Sequence, residues 1–204
     1  MSLVYEDVGY GARKVGFGDK VAILVVDFQK GFTDPQYVMG RSPLIHRAVD
    51  ETVELLALAR HGGLPVACCY HAHVGSFDMP HWKQEHVRSH MIVGSEETVL
   101  DPRITDGKMD YCFRKTGASM FHETPIKTFL TTQGVDTVVV TGCVTSGCIR
   151  ATVIQAFEHG YRVIVPAECV GDMEEGPHNA NLTDIDRRYA DVLAVENVKR
   201  SLFG

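Results

Sequence analysis

Short apolar segments alternate along the chain with longer amphipathic ones. Residues 21–26, 64–70 and 137–141 are almost entirely apolar or β-branched. Continuous runs of this kind are typical of parallel strands that are buried on both faces of a sheet. Between the first two runs, apolar side chains recur at helical spacing over 45–59, and Gly62-Gly63 follows them. This segment is therefore predicted to be a helix that ends at the glycines.

The rest of the chain continues the alternation of strand and helix, except for the irregular stretch 71–109, which is rich in His, Gly, Met and Pro. Repetition of this kind predicts an α/β fold, a single-domain doubly wound (Rossmann-like) parallel sheet of six strands flanked by helices. The later predicted strands are 111–114, 161–166 and 191–195, and the later predicted helices are 124–133, one from Cys148 to Gly160, and one from about Pro177.

The composition excludes several classes of function. A chain of 204 residues with 45% hydrophobic and 23% charged residues suits one sizeable core. The net charge of −6 and the scattered basic residues argue against a nucleic-acid partner. No apolar run approaches the roughly 20 residues that span a membrane, and no signal peptide is visible. The six cysteines lack the spacing of a small disulfide framework, so we expect reduced thiols and a cytoplasmic location.

Cys148 is the first candidate for chemistry, because an apolar strand and a glycine-bounded turn precede it and a helix is predicted to open at it. A thiol at a helix N-terminus faces unpaired N–H groups and the positive end of the helix dipole, which favours the thiolate. The same N–H groups can bind the oxyanion of a tetrahedral acyl intermediate. The pattern fits a small buried core cysteine equally well, so both interpretations stay open at this point.

Two charged residues also follow predicted strands. Asp27 ends the run 21–26, and Lys115 follows the strand at 111–114. Because ligands of open α/β sheets bind beyond the carboxyl ends of the strands, both side chains could reach a shared crevice. Asp27 would then serve as a base for a cysteine thiol. The alternatives are that Asp27 caps a loop and that Lys115 is an ordinary surface lysine.

Asp, Lys and Cys in this order, each after a strand, resemble the isochorismatase-like cysteine hydrolase superfamily, and within it the N-carbamoylsarcosine amidase and maleamate amidase group. The resemblance covers nearly the whole chain, from about Gly16 to Val195. It implies one isochorismatase-like hydrolase domain over 1–204, with 1–16 as an N-terminal extension. The motifs that carry it are Val25-Val26-Asp27-Phe28-Gln29, Arg114-Lys115-Thr116 and Gly142-Cys143-Val144-Thr145-Ser146-Gly147-Cys148.

The resemblance also implies a mechanism. Asp27 takes the proton of Cys148, Lys115 stabilises the thiolate and the carboxylate, and the sulfur attacks an amide, carbamoyl or ureido carbon. Ammonia or an amine leaves, and water hydrolyses the resulting thioester. A cis peptide bond between Cys143 and Val144 is implied as well, together with an oxyanion hole formed by the N–H groups of Val144 and Cys148. No cofactor is implied, and the partners are a small-molecule amide substrate and, in a homodimer or homotetramer, further copies of the chain.

Candidate substrate-binding residues come from the resemblance and from the irregular segment. Phe32 has a claim through its family position, and His71 or His73 follows the second strand. Trp82 is a further candidate, although a core or subunit-interface role fits it at least as well.

Two departures from the related amidases bear on the substrate. Those relatives typically carry Thr where this chain has Val144, and Arg where it has Met173. That Arg is implied to clamp a substrate carboxylate, as guanidinium groups do well. The changes predict a neutral or less anionic substrate, unless Arg187, Arg188 or a neighbouring subunit supplies the cation.

Some related nicotinamidases bind a metal through Asp and His residues near the end of the second strand. Tyr70 and Ala72 stand here where an Asp would be expected, and His71 and His73 alone cannot complete a set of three or four ligands. We therefore predict no metal.

Two functions remain as alternatives to the amidase. One is a nicotinamidase-like amide hydrolase. The other is a non-catalytic small-molecule-binding or redox protein of the same fold. A disulfide between Cys143 and Cys148, five positions apart across a turn, is sterically doubtful.

Overall fold

Parallel strands alternate with helices through residues 4–204, which are the residues that the computed structural model describes. The strands are β1 (Val21–Val26), β2 (Val66–His71), β3 (Tyr111–Lys115), β4 (Thr137–Cys143), β5 (Arg162–Pro166), β6 (Val170–Gly171) and β7 (Asp191–Leu193). The helices are α1 (Lys30–Thr33), α2 (Pro43–His61), α3 (Glu85–His90), α4 (Ile126–Gln133), α5 (Arg150–Glu158), α6 (Glu175–Arg188) and α7 (Val195–Phe203). A π-helical turn covers Thr145–Ile149, and short 3-10 turns cover Tyr5–Val8, Met39–Arg41, Glu96–Thr98 and Ala167–Cys169.

The sheet has the strand order β3-β2-β1-β4-β5-β7, with β6 pairing the end of β4 beyond β5. Every pairing between these strands is parallel. The predicted doubly wound parallel sheet is confirmed, and the six strands of its continuous path match the predicted number. The two-residue β6 was not predicted, because a segment of that length carries no periodicity. The order reverses between β1 and β4, and the ligand crevice of an open α/β sheet lies at such a switch point.

The two faces of the sheet are covered by separate apolar clusters. Leu24 and Val26 of β1 pack on one side with residues of α4, α5 and α6. Ile23 and Val25 pack on the other side with residues of α2 and α7. Because successive side chains of a strand point to opposite faces, burial on both faces requires the uninterrupted apolar sequence seen in β1.

Helix α2 shows how local sequence sets an element's limits. Pro43 occupies its first turn, where a missing N–H costs nothing, and the Ser42 side chain accepts a hydrogen bond from the Ile45 N–H at 3.4 Å. Gly62 follows the last helical residue, as predicted.

The chain's end differs from the predicted elements. The strand predicted at 191–195 ends at Leu193, and Val195 instead begins α7. Val195 and Val198 are buried against the sheet, one helical turn apart. The helix predicted from about Pro177 begins two positions earlier, at Glu175.

No helix within residues 4–204 combines the length and apolarity needed to cross a membrane. The predicted N-terminal extension 1–16 begins with three residues that lie outside the described part of the chain. From Val4 onward it includes the 3-10 turn Tyr5–Val8, and the Gly11 N–H donates to the Arg187 carbonyl of α6 at 3.1 Å.

Candidate active site

Three chemically active side chains meet at the carboxyl edge of the sheet. Asp27 directly follows β1, Lys115 is the last residue of β3, and Cys148 lies in the π-helical turn after β4. The Lys115 Nζ lies 2.8 Å from Asp27 Oδ2 and 3.3 Å from Cys148 Sγ. Asp27 and Lys115 are 1% and 2% exposed. The alternative of an ordinary surface lysine is therefore wrong, and the three groups meet at the edge of the sheet where the crevice is predicted.

The backbone around Asp27 is held in an unusual conformation. Asp27 has φ +56°, in the left-handed region that costs a non-glycine residue on the order of 1–3 kcal/mol. Gly142 of β4 has φ +125°, and a Cβ there would lie 2.0 Å from the Val26 carbonyl oxygen. Only glycine lets β4 approach β1 this closely. The Asp27 N–H donates to the Cys69 carbonyl at 3.0 Å, and the Cys143 thiol donates to the Asp27 carbonyl at 3.3 Å.

The turn that carries Cys148 begins earlier than the sequence predicted. The helix was expected to open at Cys148, but a π-helical turn starts at Thr145 and runs directly into α5. Such wide turns are frequently found at functional sites. The Ser146 N–H donates to Asp172 Oδ2 at 2.7 Å, and the Thr145 hydroxyl lies 2.8 Å from His178 Nδ1. These contacts fix Cys148 in the first turn of a continuous helical segment.

The peptide bond between Cys143 and Val144, which joins β4 to this turn, is cis.

The electrostatics of Cys148 differ from the expectation that the helix N-terminus favours its thiolate. Burial raises the pKa of Cys148 to about 12; the Lys115 ammonium opposes this shift and the Asp27 carboxylate adds to it. Loss of hydration outweighs the nearby positive charge, because an ion in a low-dielectric site loses more solvation than one neighbour returns. Burial therefore favours the neutral thiol, whereas the helix N-terminus and the Lys115 ammonium favour the thiolate.

The Asp27–Lys115 pair is an ion pair shielded from water. Burial raises the pKa of Asp27, an effect that the Lys115 ammonium opposes. Burial alone lowers the pKa of Lys115, but the Asp27 carboxylate and the Cys148 sulfur more than offset this, and the pKa lies above its ordinary value. Asp27 is thus a stronger base than an ordinary aspartate, and it stands next to a permanent cation.

His71 and His73 form a buried pair behind the lysine. The Lys115 Nζ lies 3.4 Å from His71 Nδ1, and the Nε2 atoms of the two imidazoles lie 2.8 Å apart. Burial lowers the pKa of His71 to about 2, with Lys115 adding to the shift, so this ring is neutral. Because the ammonium only donates, His71 accepts at Nδ1 and donates from Nε2 to His73, an assignment that follows from the network. His71 thereby helps to orient Lys115.

A cavity of about 140 Å³ opens in front of the Cys148 sulfur. It is lined by Asp27, Cys148 and all five residues predicted to bind substrate, which are Phe32, His71, Trp82, Val144 and Met173. Trp82 is therefore a cavity wall, and its ring meets the His71 ring edge-on at a centroid distance of 5.1 Å.

The sequence profile of the isochorismatase domain matches residues 21–197. The chain belongs to the isochorismatase family. A maleamate amidohydrolase of Pseudomonas putida is 37% identical over 201 residues, which cover 95% of this chain and 92% of that protein. An N-carbamoylsarcosine amidase of Arthrobacter sp is 29% identical over 205 residues, covering 98% and 77%. A cysteine hydrolase from Pseudomonas syringae pv. phaseolicola 1448A shares the fold with a TM-score of 0.83 at 23% identity, covering 90% and 92%. The resemblance to the isochorismatase-like superfamily and its maleamate and N-carbamoylsarcosine amidases is confirmed.

In this isochorismatase family member, no arginine or lysine among residues 4–204 lines the cavity. The guanidinium groups of Arg187 and Arg188 lie over the Tyr5 ring, 4.7 and 5.1 Å from its centroid, and not at the cavity. The alternative that these residues of the same chain supply the missing cation is therefore wrong. A neighbouring subunit is the other predicted source of a cation for this cavity.

Sequence reasoning missed several residues of this family member's site. Gln29 is buried and bridges the strands next to Asp27, since its Oε1 accepts from the His71 N–H at 2.7 Å and its Nε2 donates to the His71 carbonyl at 3.1 Å. Its position two residues after Asp27, within the motif Val25–Gln29, is the sequence feature that could have identified it. The other cavity residues that were missed come mostly from segments without periodicity, and they are Met39, Gln84, Val87, Ala118, Ser146, Gly147 and Asp172.

Neither the fold of a single chain nor its family tests two further predictions, the homodimer or homotetramer and the cytoplasmic location. Both stay predictions, as does the extent of the hydrolase domain over 1–204.

Proposed function

We propose that the protein is a cysteine amidohydrolase that cleaves a C–N bond of a small amide, carbamoyl or ureido compound and releases ammonia or an amine. The observation that carries the proposal is the position of one buried ammonium, Lys115 Nζ, 2.8 Å from the Asp27 carboxylate and 3.3 Å from the Cys148 sulfur. This sulfur faces a small cavity. The similarity to a maleamate amidohydrolase and to an N-carbamoylsarcosine amidase supports the reaction class.

The first half of the reaction makes a thioester. Because burial favours the neutral thiol, its proton passes to Asp27 as the sulfur attacks the carbonyl carbon, and Lys115 stabilises the negative charge that develops on the sulfur. A C–S bond forms, and the carbonyl π electrons move to the oxygen. Asp27 then gives the proton to the leaving nitrogen, the C–N bond breaks, and ammonia or an amine departs.

The second half returns the enzyme to its starting state. Water attacks the thioester carbon and passes a proton to Asp27, and the C–S bond breaks. The sulfur leaves as a thiolate beside Lys115 and regains its proton from Asp27. One amide and one water thus give one acid and one amine, with no other reactant.

The oxyanion of each tetrahedral intermediate needs N–H donors, which we assign to Val144 and Cys148. Two neighbouring N–H groups are not available to an oxyanion. The Ser146 N–H donates to Asp172 Oδ2 at 2.7 Å, and the Gly147 N–H donates to the Val144 carbonyl at 2.9 Å. Donors aimed at the developing charge in a site that excludes water contribute strongly to catalysis.

The substrate is small and carries little negative charge. The cavity of about 140 Å³ in front of the sulfur is well below the roughly 300–1,000 Å³ of sites for drug-sized ligands, although it adjoins a wider cleft of about 910 Å³ past Trp82, Ser146 and Gly147. Val144 and Met173 present apolar surface to it, and the cation next to the thiol, Lys115, is engaged by Asp27. Trp82 Nε1 is buried and has no hydrogen-bond partner within residues 4–204, so it is free to donate to a substrate oxygen.

Ammonia release across a panel of amides tests the proposal. The panel pairs carboxylated compounds (maleamate, N-carbamoylsarcosine) with neutral ones (nicotinamide, simple ureas). We expect turnover of at least one neutral compound, and a loss on the order of 10³-fold or more in Cys148→Ser, since removal of a nucleophile eliminates the covalent route. Cys112→Ser, which changes an exposed thiol of β3, is the matched control and should retain activity.

A covalent acyl adduct on Cys148, detected by mass spectrometry after rapid acid quenching, is the second expected result. Equal turnover by Cys148→Ser and the wild type would contradict the proposed nucleophile. Turnover restricted to the carboxylated compounds would contradict the substrate class while leaving the cysteine chemistry intact.

A further inference from the structure

Two histidines and a glutamate meet outside the cavity. His86 and His90 lie one turn apart on the same face of α3, and Glu97 lies in the 3-10 turn Glu96–Thr98. Glu97 Oε2 is 2.7 Å from His86 Nε2, and Glu97 Oε1 is 2.9 Å from His90 Nδ1. The imidazole rings stack at a centroid distance of 4.3 Å and an interplanar angle of 6°. One potential ligand atom of each residue lies within 4.8 Å of the other two.

This set has the chemistry of a zinc site. Two imidazoles and one carboxylate are a known protein ligand set for Zn²⁺, with water in the fourth position. Bonds of about 2.0–2.2 Å in tetrahedral geometry separate ligand atoms by about 3.4 Å, so the three side chains need only small movements to surround an ion. His90 is about half exposed, which leaves a side open to water.

The second observation in favour of a metal ion is the charge environment of the buried Glu97 carboxylate. Among residues 4–204, the other buried carboxylates have strong partners: Asp27 and Asp101 pair with Lys115 and Arg103, whereas Asp172 and Asp191 each accept two backbone N–H groups. Glu97 is 7% exposed, and its partners within the same residues are two imidazoles, which are cations only when protonated. A buried carboxylate is costly without a compensating cation, and a divalent metal ion would provide one.

We propose that His86, His90 and Glu97 bind one divalent transition-metal ion of the zinc class. None of the three lines the cavity, so the ion takes no part in the amide cleavage, and the proposal does not depend on that function. It departs from the prediction that no metal binds, because that prediction considered only His71 and His73.

The bound ion would fix one wall of the cavity. It would join α3, whose Val87 lines the cavity, to the turn that contains Glu97. The Glu97 carbonyl accepts a hydrogen bond from Gln29 Nε2 at 3.1 Å, and the Met91 carbonyl at the end of α3 accepts one from the His73 N–H at 2.8 Å. Both sides of the site are therefore already tied to the carboxyl ends of β1 and β2.

The test is metal binding by the full-length protein after removal of metals with a chelator. Titration with Co²⁺ should give one ion per chain, with visible d–d absorption and no thiolate-to-cobalt charge-transfer band. Zn²⁺ should displace the cobalt and raise the Tm. Because losing even an outer partner of a metal ligand weakens binding about 10- to 100-fold, His90→Gln and Glu97→Gln should weaken it by at least about 100-fold.

The variants are chosen to separate lost ligands from lost structure. His90 is half exposed, so His90→Gln should keep the circular dichroism spectrum of the wild type even if Glu97→Gln does not. His61→Gln, at an exposed position in the last turn of α2, is the matched control and should bind as the wild type does. No stoichiometric binding by the wild type, equal binding by His90→Gln, or a thiolate band that disappears in Cys148→Ser would each overturn the proposal.

Discussion

The ammonium of Lys115 is the centre of the candidate site at the scale of single residues. It contacts the Asp27 carboxylate, the Cys148 sulfur and the Gly117 carbonyl, at 2.8, 3.3 and 3.0 Å. An ammonium has three protons to donate, and it shares them among these three groups and His71 Nδ1, which lies 3.4 Å away. The lysine therefore neutralises the buried Asp27 carboxylate, and in the proposed reaction it would also stabilise a Cys148 thiolate.

Lys115→Met should remove both roles. It leaves the Asp27 carboxylate buried without a cation, and breaking a buried pair in this way costs about 3–5 kcal/mol. We expect a decrease of that size in the free energy of unfolding in urea, together with loss of ammonia release. Lys127→Met, at an exposed position on α4, is the control and should change neither.

A double variant tests whether the unpaired charge is the cause. Asp27→Asn combined with Lys115→Met should recover part of the lost stability while staying inactive. Unchanged stability of Lys115→Met alone would contradict the view that the ion pair compensates the buried carboxylate.

Met173→Arg should change the substrate preference. A guanidinium group on the cavity wall can make charge-assisted hydrogen bonds with a substrate carboxylate, each worth about 1.5–3 kcal/mol. The ratio of kcat/KM for maleamate over that for a neutral amide should therefore rise by about tenfold or more. Met109→Arg, at an exposed position outside the cavity, is the control. An unchanged ratio in Met173→Arg would mean that residue 173 does not determine the preference.

The sequence predicts where the site residues lie better than it predicts how burial changes their chemistry. Strand ends locate Asp27 and Lys115 at one edge of the sheet, because parallel strands deliver their carboxyl ends to the same side. The effect of the helix dipole on the Cys148 thiol follows from local sequence, but the burial that raises its pKa is set by segments distant in the chain. Gln84 and Val87 come from a segment without periodicity, so only the folded chain reveals that they line the cavity next to the predicted Trp82.

At the scale of elements, the long strands and helices were predictable and the short or irregular ones were not. The apolar sequences of β1 and β4 are direct consequences of burial on both faces. The π-helical turn Thr145–Ile149 has no known sequence period, and it shifted the start of the helical segment by three residues. Helix α7 was not predicted, although Val195, Val198 and Leu202 have helical spacing. The predicted strand 191–195 included Val195, which is the first residue of this helix.

The approach of β4 to β1 gives a prediction at this scale. In Gly142→Ala, the new methyl group would lie 2.0 Å from the Val26 carbonyl oxygen, and the backbone would keep an unfavourable φ of +125°. Strain and overpacking together should lower the free energy of unfolding by about 3 kcal/mol or more. Activity should decrease further, because the displaced strand carries the turn of Cys148. Gly107→Ala, with no atom near the added methyl and no positive φ, is the control for urea unfolding and for ammonia release.

At the scale of the whole molecule, the thiols make stability depend on pH. Burial raises the pKa of Cys148 and of Cys169 to about 12, and it raises the pKa of Cys69 and Cys143 well above the ordinary value of 9.0. A group whose pKa is raised on folding stabilises the protein below the unfolded pKa and loses that contribution as the pH rises. Above pH 9 the unfolded chain releases these protons while the native chain retains them.

The free energy of unfolding should therefore fall between pH 9 and 10, by about 1 kcal/mol for each buried thiol. Urea unfolding at pH 8, 9 and 10 under reducing conditions measures this loss. Cys169→Val removes one such thiol away from the cavity, and its loss between pH 9 and 10 should be smaller by about 1 kcal/mol. Equal stability of the wild type at pH 8 and pH 10 would contradict the raised pKa values.

The reversal of strand order between β1 and β4 has a consequence for synthesis on the ribosome. The first three strands emerge before β4 and can pair as β3-β2-β1, which leaves the opposite edge of β1 open. That edge belongs to the sequence VAILVV, and an open apolar edge strand is a template for aggregation. The nascent chain at this stage also lacks Cys148. A chain arrested before β4 is thus prone to aggregate and lacks the proposed nucleophile, and the synthesis of β4 and the turn that follows it ends both conditions.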